Sequence, residues 1–250
     1  MSGHSHWATI KRAKAANDAK RGKNWSKLAR AIIVAAKHGG GNPDDNLTLR
    51  YAIDKARAAN MPNDTISNAV KKGSGGLQAE TYETVMYEGY GPAGVAFMVE
   101  CATDNRHRTA PEMRKIFERA GGQMGTLNCV AWMFEKKGTF MIEAAKADED
   151  ALMELALDAG ADDVQRDGDF FQVTCDTSSF SAVRAALAKK GIETVSGELA
   201  MLPKNSITVN AEQAAKVLHL MDVLEEHDDV QNVYANFDIP DDVMAQLNKP

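Results

Sequence analysis

The sequence predicts an α+β fold of three domains: an N-terminal helical domain followed by two α/β sandwich-type domains, the third ferredoxin-like and inserted into the second. Three observations predict it. The apolar period is that of a helix as far as Leu77 and changes to two after it. From residue 139 the elements run βαββαβ, the order of a split ferredoxin-like unit. A trailing βαβ then supplies two strands, too few for a stable sheet of their own, so they are expected to join the strands at 84–135.

Each element has a local reason. In 25–37, Trp25, Leu28, Ala29, Ile32, Ile33 and Ala36 fall on one helical stripe. "HGGGNPDDN" (38–46) stops that helix with glycines and caps the next with Asn and Asp. Leu49, Ile53 and Ala56 mark the second helix, "NMPND" breaks it, and 64–72 forms a short third helix ending at Gly73. "GSGG" (73–76) reads as a boundary. Strands are expected at 84–90 and 94–101 around the turn "GYGPAG", a helix at 105–122 with Met113, Ile116, Phe117 and Ala120 on one face, and a strand at 130–135. The repeated unit places strands at 139–144, 162–166, 170–176 and 193–202 and helices at 149–159 and 179–190. The last segment reads as strand 206–210, helix 211–226 and strand 230–238. The expected domains are therefore 1–77, 78–137 plus 203–250, and 138–202.

Charge follows this division. Residues 1–77 hold 14 Lys and Arg against 5 acids, whereas the whole chain is −6. Residues 138–202 hold 5 Lys and Arg against 13 acids. An asymmetry of this size points to a nucleic-acid or other anionic contact by the basic part. The opening stretch 3–30 carries Lys11, Arg12, Lys14, Lys20, Arg21, Lys23, Lys27 and Arg30 against Asp18 alone. Wound as a helix, 7–23 puts its bases on every side, with only Trp7 and Ile10 as apolar bulk. A helix polar all round has little to pack with, but it can order against phosphates through counterion release. Trp7 either stacks on an unpaired base or staples the arm to the first domain. The acidic 138–202 domain is expected to repel phosphate. It lacks the alternating aromatics of an RNA-recognition strand, because Phe170 and Phe171 point to opposite faces.

Several classes are disfavoured. No run of about 18 apolar residues is present, and the N-terminus lacks a secretory h-region. Cys101, Cys129 and Cys175 are scattered with no CxxC, the pattern of reduced thiols. A cytoplasmic protein without membrane contact is expected. No GxxxxGK[ST] or GxSxG motif occurs. His4 and His6 supply half a metal site at best. Cys101, Asp104 and His107 are close in sequence, but Asp104 or Asn105 reads better as a helix cap. Arg106 and Arg108 at that helix start form a candidate phosphate contact. No cofactor, metal, catalytic constellation or small-molecule substrate is expected, so the chain does not read as an enzyme.

"GHSHWATIKRAKAANDAKRGK", "ANMPNDTISNAVKKGSGG", "YEGYGPAGVAFMVE", "TDNRHRTAPEMRKIFERAGGQMGT", "VAWMFEKKG" and "VQNVYANFDIP" closely resemble the YebC family, in order and over essentially the whole chain. That family includes the mitochondrial translational activator of cytochrome c oxidase subunit I. The motif begins at Gly3, as expected of a bacterial cytosolic member, and departs from the commonest opening at His6 and Thr9, where Lys and Asn are usual. The resemblance implies the three-domain plan and two functions: a DNA-binding transcriptional regulator, or a ribosome-associated translation factor that helps synthesis through proline runs. Charge on all sides of the arm suits structured RNA, and no helix-turn-helix or dimer seam is evident for an operator. The expectation is a translation factor contacting ribosomal RNA through the basic N-terminal domain, the alternative being the DNA regulator.

Overall fold

The computed structural model describes residues 21–76 and 82–247. Helix α1 (Arg21–Gly39), α2 (Leu47–Ala58) and α3 (Asn63–Gly73) pack as a small bundle. Its core is Leu28, Ile32, Ile33, Leu49, Ile53, Met61 and Ile66 with the small residues Ala35, Ala36, Ala56 and Ala69. The stripe read from the sequence is the buried one. Small side chains on α1 let α3 come close: a Cβ on Gly73 would strike the carbonyl of Ile33. Asn46 joins α1 to α2. Its Oδ1 caps α2 by accepting from Leu49 N at 3.0 Å, and its Nδ2 donates to the carbonyls of Ala35 and Gly40, both at 2.8 Å. One buried amide thereby satisfies groups that two helix ends leave open.

The first sheet has the order β3-β1-β2-β9. Strands β1 (Glu83–Tyr90) and β2 (Ala96–Thr103) form an antiparallel hairpin, with Tyr87 opposite Val99. Helix α4 (Arg106–Arg119) covers one face, and Phe117 meets Phe97 edge-on at 6.1 Å between centroids. The chain leaves this sheet after β3 (Gln123–Met124) and returns much later through α7 (Ala211–Glu226) and β9 (Val230–Ala235), which pairs antiparallel with β2.

Between departure and return lies a second antiparallel sheet of order β5-β6-β4-β7. Its elements are β4 (Phe134–Glu143), α5 (Glu149–Asp158), β5 (Ala161–Asp167), β6 (Phe170–Asp176), α6 (Phe180–Lys189) and β7 (Ser196–Pro203). This is the ferredoxin-like order, with the first and third strands of the unit in the centre. Phe140 stacks on Phe180 at 4.5 Å, and Gly138 leaves room for the Phe180 ring, which a Cβ there would strike. Phe171 is buried and Phe170 is half-exposed, as alternation requires.

Two sequence expectations are corrected. Residues 130–135 are not a strand of the first sheet: Ala131–Met133 is a 3-10 turn, and β4 starts at Phe134 in the second sheet. The reason is Glu88, a buried carboxylate on β1 that accepts from the N–H groups of Asn128, Val130 and Ala131 at 2.7–2.9 Å. It takes the donors that a strand would have offered to a ladder. The fourth place in the first sheet goes to β3. Strand β8 (Ile207–Thr208) does not join that sheet either; it pairs in parallel with β10 (Phe237–Asp238) as a separate ribbon. A last helix, α8 (Asp241–Leu247), follows.

The chain divides into two compact units. One holds Trp132–Ala211 and the residues from Asn236 onward; the other holds 21–131 and Glu212–Ala235.

Candidate nucleic-acid interface

In the described part of the helical bundle, 21–76, ten Lys and Arg stand against four acids. Trp7, Lys11, Arg12, Lys14 and Lys20 lie outside the described residues. Arg21 and Lys23 are placed on the first turns of α1. That helix has no acid in its first turn, and Lys37 and His38 occupy its last. In α3, Lys71 and Lys72 sit in the last turn, where they complement the helix dipole.

Lys27 and Arg30, further along α1, have protein partners. Lys27 Nζ donates to the carbonyl of Glu225, and Arg30 Nη1 donates to the carbonyl of Asp228. Both acceptors lie just at or beyond the C-terminus of α7, the negative end of a helix. Arg30 also reaches Asp229 Oδ1 at 3.1 Å and lies over the Tyr82 ring at 5.6 Å, within cation–π range. Asp229, with its side chain only 3% exposed, is the centre of this corner. Its Oδ2 accepts from Arg108 Nη2 at 2.9 Å and from Thr109 Oγ1 at 2.8 Å. Its backbone N–H donates to His227 Nδ1 at 3.2 Å, which leaves Nε2 to donate to Glu112 at 3.0 Å. Burial opposes ionisation of Asp229. The hydrogen bonds from Arg108 and Thr109 and the charges of Arg108 and Arg30 outweigh it, holding this carboxyl below the ordinary carboxylate range.

The sequence reading assigned Arg106 and Arg108 to phosphate at the start of α4. Asn105 is the cap there, and its Oδ1 accepts from the N–H groups of His107 and Arg108 at 3.1 and 3.2 Å. These amides therefore already have an acceptor. Arg106 pairs with Glu83 at 3.3 Å, and Arg108 is shared between Asp104 and Asp229. Arg30 and Arg108 border an open hollow of about 470 Å3 whose lining also includes Glu112, Glu226, Asp228 and Asp229, so carboxylates outnumber arginines. Phosphate is not attracted to such a corner.

The nearby thiol is equally committed. Cys101 is fully buried in β2, and burial together with the charges of Asp229 and Glu100 pushes it up to about 12, so it is no thiolate at neutral pH. His107 is exposed at the start of α4. Among the described residues no group of three His, Cys, Asp or Glu is placed to hold a metal, and no helix is long and apolar enough to cross a membrane. Asp229 and Glu88 were missed by the sequence reading. Asp229 lies in no quoted motif and Glu88 lies within "YEGYGPAGVAFMVE" with no role assigned to it, and each acts through partners 40 or more residues away.

The family models account for both parts of this architecture. Residues 5–76 match the TACO1/YebC protein N-terminal domain, and 82–237 match the TACO1/YebC second and third domain. The chain belongs to the TACO1/YebC family. It is 53% identical over 249 residues to a probable transcriptional regulatory protein of Dictyoglomus turgidum, covering 99% of this chain and 100% of the relative. A probable transcriptional regulatory protein of Rubrobacter xylanophilus is 52% identical, with 99% of each chain covered. The crystal structure of a conserved hypothetical protein from Aquifex aeolicus superposes with a TM-score of 0.85 at 45% identity, over 94% of this chain and 98% of the other. The TACO1/YebC fold is thus present from the helical bundle through the ferredoxin-like unit.

Proposed function

We propose that this TACO1/YebC protein is a non-enzymatic, nucleic-acid-binding regulator of gene expression, acting as a ribosome-associated translation factor that contacts RNA through its basic N-terminal domain. The observation that carries the reading is the charge division: 14 Lys and Arg against 5 acids in 1–77, and 5 against 13 in 138–202. One end attracts phosphate and the inserted domain repels it. Wound as a helix, the arm would carry bases on every side, which matches the enclosing phosphates of folded RNA better than one groove of a duplex.

Within this reading, the residues that touch nucleic acid are Trp7, Lys11, Arg12, Lys14, Lys20, Arg21 and Lys23. Lys27 and Arg30 anchor α1 to the 225–229 turn, and Arg106 and Arg108 serve the protein's own carboxylates. The domain plan that supports it is 1–77 as the binding module, 78–137 plus 203–250 as the scaffold and 138–202 as the acidic insert.

A second reading, a DNA-binding transcriptional regulator, is favoured by the names of the relatives. The discriminating experiment is co-sedimentation with bacterial ribosomes at near-physiological salt in the presence of excess duplex DNA. Saturable binding that survives the competitor is the expected result. Loss of binding to the competitor puts the DNA regulator first, because generic phosphate attraction is blind to sequence.

A further inference from the structure

The acidic insert repels nucleic acid, which leaves open what it does attract. Helix α5 carries two parallel ridges on its exposed side. Met153 and Leu157, one turn apart, are 38% and 47% exposed. Beside them run Asp150, Glu154 and Asp158, also at successive turns and all exposed. Leu152 and Ala156 face the domain core and are fully buried, so the exposed apolar pair is surplus to the packing of this helix.

The acidic ridge works against the isolated helix at its C-terminal end. Acids one turn apart repel each other. Asp158 sits in the last turn, where the dipole disfavours an anion and where no basic residue balances it. From Asp148 to Asp158 the segment has five acids and no Lys or Arg. Arg166 approaches the other end of the helix, 3.8 Å from Glu149. An unbalanced acidic ridge beside exposed apolar side chains is the kind of local departure expected at a functional surface.

We propose that this face of α5 is a docking surface for a basic amphipathic helix of a partner protein. The partner sets aliphatic side chains against Met153 and Leu157, in the groove beside their ridge, and Lys or Arg against Asp150, Glu154 and Asp158. Charge complementarity selects this occupant. Nucleic acid and acidic proteins are repelled by the same ridge, and a neutral apolar helix leaves three carboxylates unpaired at the contact. The protein therefore has two recognition surfaces of opposite charge, one for nucleic acid and one for a basic protein segment.

The test uses the full chain and a fluorescein-labelled synthetic 18-residue Lys/Leu amphipathic helix, read by anisotropy, with the footprint located by amide chemical-shift changes. The wild-type protein is expected to bind saturably, with shifts centred on 150–158. The surface variant M153S/L157S is expected to bind at least tenfold more weakly at all salt concentrations. The variant D150N/E154Q/D158N is expected to lose most of the salt dependence as well as affinity. All these side chains are exposed, and retained thermal midpoints establish that both variants fold. Wild-type affinity in both variants, or shifts confined to other elements, overturns the proposal.

Discussion

Asp229 shows how a single buried charge is kept ionised. Its carboxylate takes hydrogen bonds from Arg108 and Thr109 and faces Arg30, and together these overcome the desolvation that would otherwise protonate it. Because its folded pKa lies below its unfolded one, the associated stability is present above about pH 4 and is lost as pH falls through the folded value. D229N is expected to lose about 3 kcal/mol at pH 7, the usual result of breaking a buried pair by removing one partner. The deficit relative to wild type should shrink on acidification; urea unfolding at pH 7 and pH 3 measures both. Asn46 is a neutral counterpart. N46A removes one N-cap bond and two bonds to carbonyls near the end of α1, an expected loss of about 2–3 kcal/mol read in the same way. G138A forces a methyl into the Phe180 ring and the Cys175 sulfur, and a loss of about 1–3 kcal/mol is expected.

Helix α1 holds Lys27 and Arg30 against the 225–229 turn, while the bases from Lys11 to Lys23, most of which precede the described residues, are those assigned to nucleic acid. Charge changes at the two places should therefore leave opposite signatures. Reversing Lys11, Arg12, Lys20 and Arg21 to Glu is expected to abolish nucleic-acid binding without appreciably lowering the thermal midpoint. R30Q is expected to lower the midpoint by several degrees, since it removes a contact to a buried carboxylate, and to leave affinity within about threefold, or 0.65 kcal/mol. Anisotropy titration with a structured RNA, paired with a thermal melt, separates the two. If R30Q matches the arm variant in binding, α1 contacts its ligand along its whole length and the division is wrong. Glu88 works at the same scale. By taking three backbone donors of 128–131 it ends the first sheet's claim on that stretch, and the chain crosses to the second sheet.

For the whole molecule, separation of charge governs how binding responds to salt. The net charge of −6 alone predicts weak attraction to polyanions, whereas a concentrated basic end predicts a steep fall of log K with log salt. The wild-type slope is expected to correspond to several released counterions, and the four-residue arm reversal should flatten it nearly to zero. A shallow wild-type slope would mean that the contact is not made through phosphates.

The sequence by itself determined the elements and their grouping wherever the information was local. The stripe from Trp25 to Ala36, the Asn and Asp caps within 38–46, the cap at Asp104 or Asn105 and the elements of the βαββαβ run each depend on residues close to one another in the chain. The ferredoxin-like strand order followed from that run, because few topologies suit it. Pro240 followed by Asp241 and Asp242 also carries a helix-start signal, though α8 was not read from it. The tertiary structure alone decided which cations are taken by the protein itself. Nothing in the local sequence marks Lys27, Arg30 or Arg108 as paired, and only the return of the chain through α7 brings Asp229 and the 225–229 carbonyls to them. It also decided that 130–133 leaves the first sheet, since Glu88 lies about 40 residues away in the chain. Propensity and period act between neighbours, whereas a buried carboxylate takes its donors from whatever distant segment the fold delivers, and desolvation makes those contacts obligatory.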